Sequence, residues 1–191
     1  MIYETIISTV DAADQAHVAP FGIQKQGDLI VISPYRPSTT LDNILATKTA
    51  VMNLTDDVRV FAGAVARVQS YELTRATQVQ GYRLLNTLSH QELSLVEVVD
   101  DIQRPQLFMQ VLHQEIHQPF AGFNRAQAAV IELAVLATRL QRLPQDKIQT
   151  ERQYLQIAMD KTAGPREWEA WQWLVDKIDT FYAEQTGQNQ A

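Results

Sequence analysis

The chain contains 191 residues, of which 46% are hydrophobic and 20% are charged, as expected for a globular protein that buries a substantial core. Its formal net charge of -6 argues against nucleic acid or an anionic membrane surface as a partner. The lack of cysteine excludes disulfides and thiolate metal sites, and no segment is long and apolar enough to span a membrane. We therefore expect a cytoplasmic protein.

Three strands are predicted near the N-terminus. β-Branched and aromatic residues are concentrated at positions 3–10, 16–24 and 29–35, and turn-forming residues separate these segments. Pro37 is predicted to end the third strand, because proline cannot donate a hydrogen bond to a neighbouring strand. We expect the three strands to form an antiparallel meander.

The second of these strands is interrupted by Pro20 and Gly22. Both residues are unfavourable inside a sheet and usually mark an edge, a bulge or a place where another group approaches the backbone. A flat ring system lying against the strand is one such group. The neighbouring His17 could act as an acid toward a substrate or could be an exposed histidine without a chemical role.

The segment after the third strand combines an arginine, three hydroxyls and an amide. These residues are Arg36, Ser38, Thr39, Thr40 and Asn43. The hydroxyls are typical N-caps of a short helix, which we predict to run through residues 41–45. Together with the N–H groups of a helix start, the same side chains could hold a phosphate, with the guanidinium as a bidentate donor. A helix cap beside a solvated arginine is the alternative interpretation.

Further strands are predicted at 50–54, 93–99 and 106–117. They raise the number of strands to six, which would allow the sheet to close into a barrel. Residues 57–88 mix a helical pattern with a polar, weakly periodic stretch, so they predict no single type of element.

The C-terminal part is predicted to be helical. Asn124 is a favourable N-cap, apolar residues then recur at helical spacing, and Pro144 and Pro165 divide the pattern into three helices. The polar residues 185–191 are predicted to fray. We expect two domains, a barrel at 1–118 and a helical subdomain at 119–191.

His113 and His117 are the residues most suggestive of a metal site. In a strand they would share one face of the sheet, but no third ligand is evident from the spacing. We therefore expect no metal.

Several short motifs resemble those of a known family, in the same order along the chain. The motifs are Glu4–Ile6, His17–Ile23, Ser38–Asn43, Val51–Asp57, Pro119-Phe120, Phe123–Ala126, and Glu132 with Arg139. They resemble the FMN-binding split-barrel family catalogued as domain of unknown function 447, which is related in fold to pyridoxamine-phosphate oxidases and flavin reductases.

The resemblance implies an α+β fold, with a six-stranded antiparallel split β-barrel followed by a C-terminal helical unit. It also implies an FMN site at a homodimer interface. The phosphate would lie near Arg36, Ser38, Thr39, Thr40 and Asn43. The flavin ring would lie along Ala19, Pro20, Phe21 and Gly22, with Asn53 and Thr55 on the neighbouring strand. Arg125 could reach the phosphate or hold the helical unit against the barrel.

The function implied by the resemblance is that of an FMN-dependent oxidoreductase or flavin-dependent reductase acting on a small molecule. The FMN would supply the redox chemistry, and the protein would supply position and electrostatics. A link to tetrahydromethanopterin-dependent one-carbon metabolism is one possibility for the pathway. The alternatives are a non-catalytic flavin-binding or structural protein, or a barrel that binds another planar cofactor such as haem, or no cofactor.

Overall fold

The structure, a computed structural model, describes residues 1–69 and 71–188. The chain divides into two compact units. Residues 1–56 and 71–120 form a barrel unit. The described residues from 57 to 69 and from 121 onward form a helical unit.

Six strands close into an antiparallel barrel, which confirms the predicted number and arrangement. The strands are β1 (Ile2–Val10), β2 (Ala16–Gln26), β3 (Leu29–Ile32), β4 (Thr49–Leu54) and, after two short strands given below, β7 (Ser89–Val99) and β8 (Gln106–Ile116). Around the barrel their order is β1-β2-β3-β8-β7-β4, and β4 also pairs with β1. Every ladder between neighbours is antiparallel.

Alternate residues of the strands fill the barrel. Ile7, Ile23, Met52, Leu93 and Met109 are buried in one apolar cluster, as the period of two along a strand requires. The predicted short helix is present as α1 (Thr39–Thr47), which packs against β1, β2 and β4 and adds Leu41 and Ile44 to the same cluster.

Two strand boundaries differ from the predictions by more than two residues. Strand β3 ends at Ile32 and does not continue to residue 35, because Pro34 rather than Pro37 is the first proline that the ladder meets. Strand β7 begins at Ser89, four residues before the predicted start. Its first residues are polar and half of them are buried, so the hydrophobic pattern does not mark them as a strand.

The segment between β4 and β7 contains a helix and a hairpin. The helix α2 (Arg59–Ala66) belongs to the helical unit. The strands β5 (Leu73–Arg75) and β6 (Tyr82–Leu84) form a separate two-stranded sheet. This hairpin covers part of the outer face of β1 and β4, where the Ser8 hydroxyl donates to the Tyr82 carbonyl at 2.5 Å.

A buried carboxylate attaches the loop of this hairpin to the barrel. Glu92 is 0% exposed and lies on the outer face of β7. Its oxygens accept hydrogen bonds from the N–H groups of Thr77, Gln78 and Val79 at 2.6–2.9 Å, and from the Thr77 hydroxyl at 2.9 Å. Burial alone would raise the pKa of Glu92, but these hydrogen bonds outweigh it and lower the pKa to about 2.

The helical unit contains four helices. They are α2, α3 (Arg125–Ala137), α4 (Gln145–Thr162) and α5 (Pro165–Gln188), which bury a second apolar cluster. The three predicted C-terminal helices are therefore confirmed, and Asn124 caps α3 by accepting from the Ala126 N–H at 2.7 Å. The predicted fraying from residue 185 is wrong as far as Gln188, which is helical, and residues 189–191 lie outside the described residues. No helix in the described ranges is both long and apolar enough to cross a membrane.

We predict that Glu92→Gln destabilises the barrel and weakens its sensitivity to acid. The folded pKa of about 2 lies below the ordinary value of 4.5, so the ionised group stabilises the fold above about pH 4.5, and this contribution disappears as the pH falls toward 2. The shift corresponds to about 3 kcal/mol of unfolding free energy at neutral pH. Chemical denaturation across this pH range measures it.

The matched control is Glu97→Gln, which removes an exposed carboxylate from the same strand. We expect the control to unfold as the unmodified protein does. Equal unfolding free energies for the two variants at neutral pH would contradict the role assigned to Glu92.

Candidate functional site

The turn that carries Arg36 is held by the loop between β7 and β8. The Arg36 backbone N–H donates to the Gln103 carbonyl at 2.8 Å. Its side chain donates from Nε to the Asp101 carbonyl at 3.3 Å and from Nη2 to the Asp100 carboxylate at 2.8 Å. The Arg36 side chain nevertheless stays 41% exposed. It is therefore positioned at the surface and open to an anion.

The same loop is internally ordered. The Asp101 carboxylate accepts from the N–H groups of Gln103 at 2.8 Å and Arg104 at 2.7 Å. These bonds, with the nearby charge of Arg36, hold the pKa of Asp101 below its usual range. Arg104 in turn donates to the Ser33 carbonyl at 3.1 Å and lies over the Tyr35 ring. The two loops thus fix each other.

Helix α1 begins at Thr39, three residues after Arg36. The Ser38 hydroxyl accepts from the Leu41 N–H at 3.3 Å and so acts as the predicted N-cap. Thr39 is exposed, and its N–H and that of Thr40 precede the first intrahelical hydrogen bond, from Asp42 to Ser38. N–H groups at a helix start and a nearby arginine in the sequence are groups of the kind that bind an anion.

Thr40 and Asn43 face away from this surface. Thr40 is 1% and Asn43 is 5% exposed. The Asn43 amide donates to the Thr9 hydroxyl of β1 at 3.0 Å. The five residues predicted to surround a phosphate therefore fall into two groups, with Arg36, Ser38 and Thr39 toward the surface and Thr40 and Asn43 toward the barrel.

The stretch of β2 predicted to meet a ring has a strand partner on one side. Ala19–Gly22 pairs with β1 throughout, whereas among the described residues β3 pairs with β2 only along Gln24–Gln26. A proline is tolerated at such an edge because no ladder hydrogen bond is lost. Phe21 packs against the barrel core, so Ala19 shares the inner face, and Pro20 and Gly22 lie on the outer face.

Gly22 has a steric reason for its small size. A Cβ atom at this position would lie 2.8 Å from the Ile2 side chain. The outer face of β2 is therefore narrow here, and the approach of β1 explains the glycine without any ligand.

Asn53 lies inside the structure and not at a surface. It is 0% exposed, and its amide nitrogen donates to the Ser8 hydroxyl at 3.0 Å and to the carbonyls of Ile6 and Val51, each at 3.3 Å. Its amide oxygen accepts from the Leu84 N–H at 2.8 Å. Asn53 thus joins β1, β4 and β6.

The other candidate residues are more accessible. Thr55 follows β4 and is partly buried. His17 lies opposite Thr9 in the β1–β2 ladder, and partial burial lowers its pKa. Arg125 is exposed as the first residue of α3.

The structure also brings together a histidine cluster that the sequence did not reveal. His90 lies opposite Glu115 in the β7–β8 ladder, and Glu92 lies opposite His113. His117, directly after β8, places its Nε2 atom 2.9 Å from His90 Nδ1. Only the spacing of His113 and His117 was visible in the sequence, because the other members depend on strand register.

The closed six-stranded barrel with an attached helical unit defines a split-barrel protein. Two family models described as protein of unknown function (DUF447) match the chain, the N-terminal domain over residues 3–118 and the C-terminal domain over residues 124–176. The chain belongs to this family. The comparison with curated proteins gave no match.

Solved structures show the same fold. An FMN-bound protein of the same family from Methanosarcina mazei is 20% identical, with a TM-score of 0.78 over 92% of this chain and 94% of that one. The 2-nitrobenzoate 2-nitroreductase of Pseudomonas fluorescens is 19% identical, with a TM-score of 0.52 over 60% of this chain and 64% of that one. Flavoredoxin of Desulfovibrio vulgaris is 14% identical, with a TM-score of 0.50 over 61% and 70%.

We predict that Asn53→Ala destabilises the barrel by about 2–4 kcal/mol, because it leaves the buried Leu84 N–H and the Ser8 hydroxyl without this partner. Asn86→Ala, at an exposed position in the same covering segment, should change stability by less than about 0.5 kcal/mol. Denaturant unfolding of both variants checks this. Equal unfolding free energies for Asn53→Ala and Asn86→Ala would show that the Asn53 amide does not hold β1, β4 and β6 together.

Proposed function

We propose that this protein is a cytoplasmic FMN-binding oxidoreductase that exchanges electrons with a small molecule. The observation that carries the proposal is the exposed Arg36, whose backbone is held by Gln103, three residues before α1 and close in sequence to the hydroxyls of Ser38 and Thr39. This arrangement suits a phosphate monoester. The FMN bound to the relative from Methanosarcina mazei, which shares the fold along nearly the whole chain, supports FMN as the molecule that carries this phosphate.

The energies of the competing contacts favour phosphate binding at Arg36. Its partner Asp100 is 81% exposed, and an ion pair of that kind is typically worth about 0–1 kcal/mol. A charge-assisted hydrogen bond to a phosphate is worth about 1.5–3 kcal/mol. Arg36 can therefore exchange the carboxylate for the phosphate, while its backbone bond to Gln103 keeps the residue in place.

The flavin ring would lie along Ala19–Gly22. Among the described residues this stretch pairs with β1 alone, so backbone groups on its other edge would meet the ring heteroatoms. FMN, when bound, would supply the hydride and electron chemistry. The chain would orient the ring and limit its access to water.

The buried candidate residues support these surfaces from behind. Asn43 and Thr40 hold α1 against the barrel, and Asn53 holds β4 against β1 and β6. We assign them to positioning α1 and β4, so that the exposed groups meet the phosphate and the ring at fixed places. Thr55, at the end of β4, would continue this wall beside the ring.

We place the flavin site at a homodimer interface. The C-terminal end of β7, next to the loop that holds Arg36, exposes Val96, Val98 and Val99, which are 50%, 39% and 45% accessible in the single chain. Apolar side chains of this kind on a barrel wall are typical of surfaces that a second copy covers.

We predict that Arg36→Ala weakens FMN binding about tenfold or more, since it removes a charge-assisted phosphate contact. Asp100→Ala should instead tighten binding severalfold, by about 0.5–1 kcal/mol, because it removes the competing carboxylate. Quenching of flavin fluorescence gives the affinities, and Arg142→Ala, an exposed arginine of the helical unit, is the control for lost charge. Unchanged affinity in Arg36→Ala would remove this residue from the site.

We also predict that a reduced nicotinamide bleaches the flavin of the FMN-loaded protein under anaerobic conditions. Absorbance of the bound flavin, followed after addition of NADH or NADPH, measures this directly. Loss of the flavin band supports the oxidoreductase. The alternative outcome is tightly bound FMN that is reduced by dithionite but by neither NADH nor NADPH. This result would favour a non-catalytic flavin-binding protein.

A further inference from the structure

Three of the four histidines in the chain lie together on the outer face of β7 and β8. His90 is 1% exposed, whereas the side chains of His113 and His117 are 33% and 16% exposed. Glu92 lies beneath them, and Glu115 is half exposed beside them. None of these residues belongs to the FMN site proposed above.

Hydrogen bonding fixes which nitrogen of His90 carries its proton. Glu92 Oε1 lies 3.3 Å from His90 Nε2. Both Glu92 oxygens accept from backbone N–H groups of residues 77–79, so the carboxylate is the acceptor toward His90 as well, and His90 Nε2 donates. In the neutral ring Nδ1 then carries a lone pair, which points to His117 Nε2 at 2.9 Å.

This is the arrangement that orients a metal-binding histidine. Such a histidine usually donates one ring N–H to a carboxylate, and the carboxylate raises the basicity of the other nitrogen. Glu92 does this for His90 and is itself held by three backbone N–H groups. The buried histidine is therefore rigid, and its ring centroid lies 5.8 Å from that of the more exposed His113.

We infer that His90, His113 and Glu115 form a binding site for a divalent transition-metal ion such as Zn²⁺. One ligand atom from each residue lies within 4.8 Å of the other two. Ligand atoms around tetrahedral zinc are about 3.3 Å apart, so the half-exposed side chains of His113 and Glu115 need to move by about 1 Å. The ion would displace the hydrogen bond between His90 and His117.

The choice of ion follows from the donor set. Two imidazole nitrogens and one carboxylate oxygen suit Zn²⁺ and its neighbours better than Mg²⁺ or Ca²⁺, which prefer oxygen ligands. The negative charges of Glu92 and Glu115 balance a divalent cation. Three protein ligands leave a fourth position for water or for His117, and the exposure of His113 and Glu115 gives an ion a path from solvent.

The test is a calorimetric titration of the untagged, chelator-treated protein with Zn²⁺ alone. We expect one ion per chain, with affinity reduced about tenfold or more in His113→Ala and in Glu115→Gln. His17→Ala removes the only histidine outside the cluster and should leave the affinity unchanged. His113 and Glu115 are accessible, so neither substitution should unfold the barrel, and circular dichroism checks this.

No stoichiometric Zn²⁺ binding, or equal affinity in His113→Ala and the unmodified protein, would overturn the inference. An equal loss of affinity in His17→Ala and His113→Ala would also overturn it. The titration involves no flavin, so its result does not depend on whether the proposed FMN site is correct.

Discussion

The ionised carboxylate of Glu92 is the interaction on which the barrel unit most depends. A buried charge is unfavourable unless it is fully hydrogen-bonded, and here five donors from the covering loop and His90 surround it. The bonds place residues 77–79 against β7, which brings the hairpin over β1 and β4. The Asn53 amide oxygen then accepts from the Leu84 N–H of β6, and the Glu92 carboxylate orients the His90 ring. The polar outer face of β4 and β7 is stable only because this cover is present.

A second set of contacts prepares the surface proposed for FMN. The loop at residues 100–104 holds the turn at residues 33–36 through backbone and side-chain bonds, so the position of Arg36 is set before any ligand arrives. Behind it, Asn43 holds α1 against β1. Rigid support of this kind reduces the entropy lost on binding. It suits the residues proposed to bind the phosphate, which lie on a turn held by hydrogen bonds and at a helix start.

Most of the fold could be predicted from the sequence, because side chains along the barrel strands alternate between the core and the outer face. Prolines also separate the C-terminal helices clearly. The start of β7 could not be predicted, since its first residues are polar side chains buried by a loop distant in sequence.

The same limit applies to the sites. Arg36 and Ser38 are two residues apart in the chain and could be recognised together. His90 and Glu115 are neighbours only through strand register, which a bulge after Glu92 shifts. Asn53 looked like a ligand residue, yet its amide is used within the fold.

We propose that one FMN molecule spans the start of α1 and the outer edge of β2. A crystal structure of the protein with FMN is the decisive measurement. We expect the phosphate against Arg36, Ser38 and Thr39, with Arg36 turned from Asp100, and the ring along Ala19–Gly22. A flavin bound elsewhere, with the Arg36–Asp100 pair intact, would contradict it.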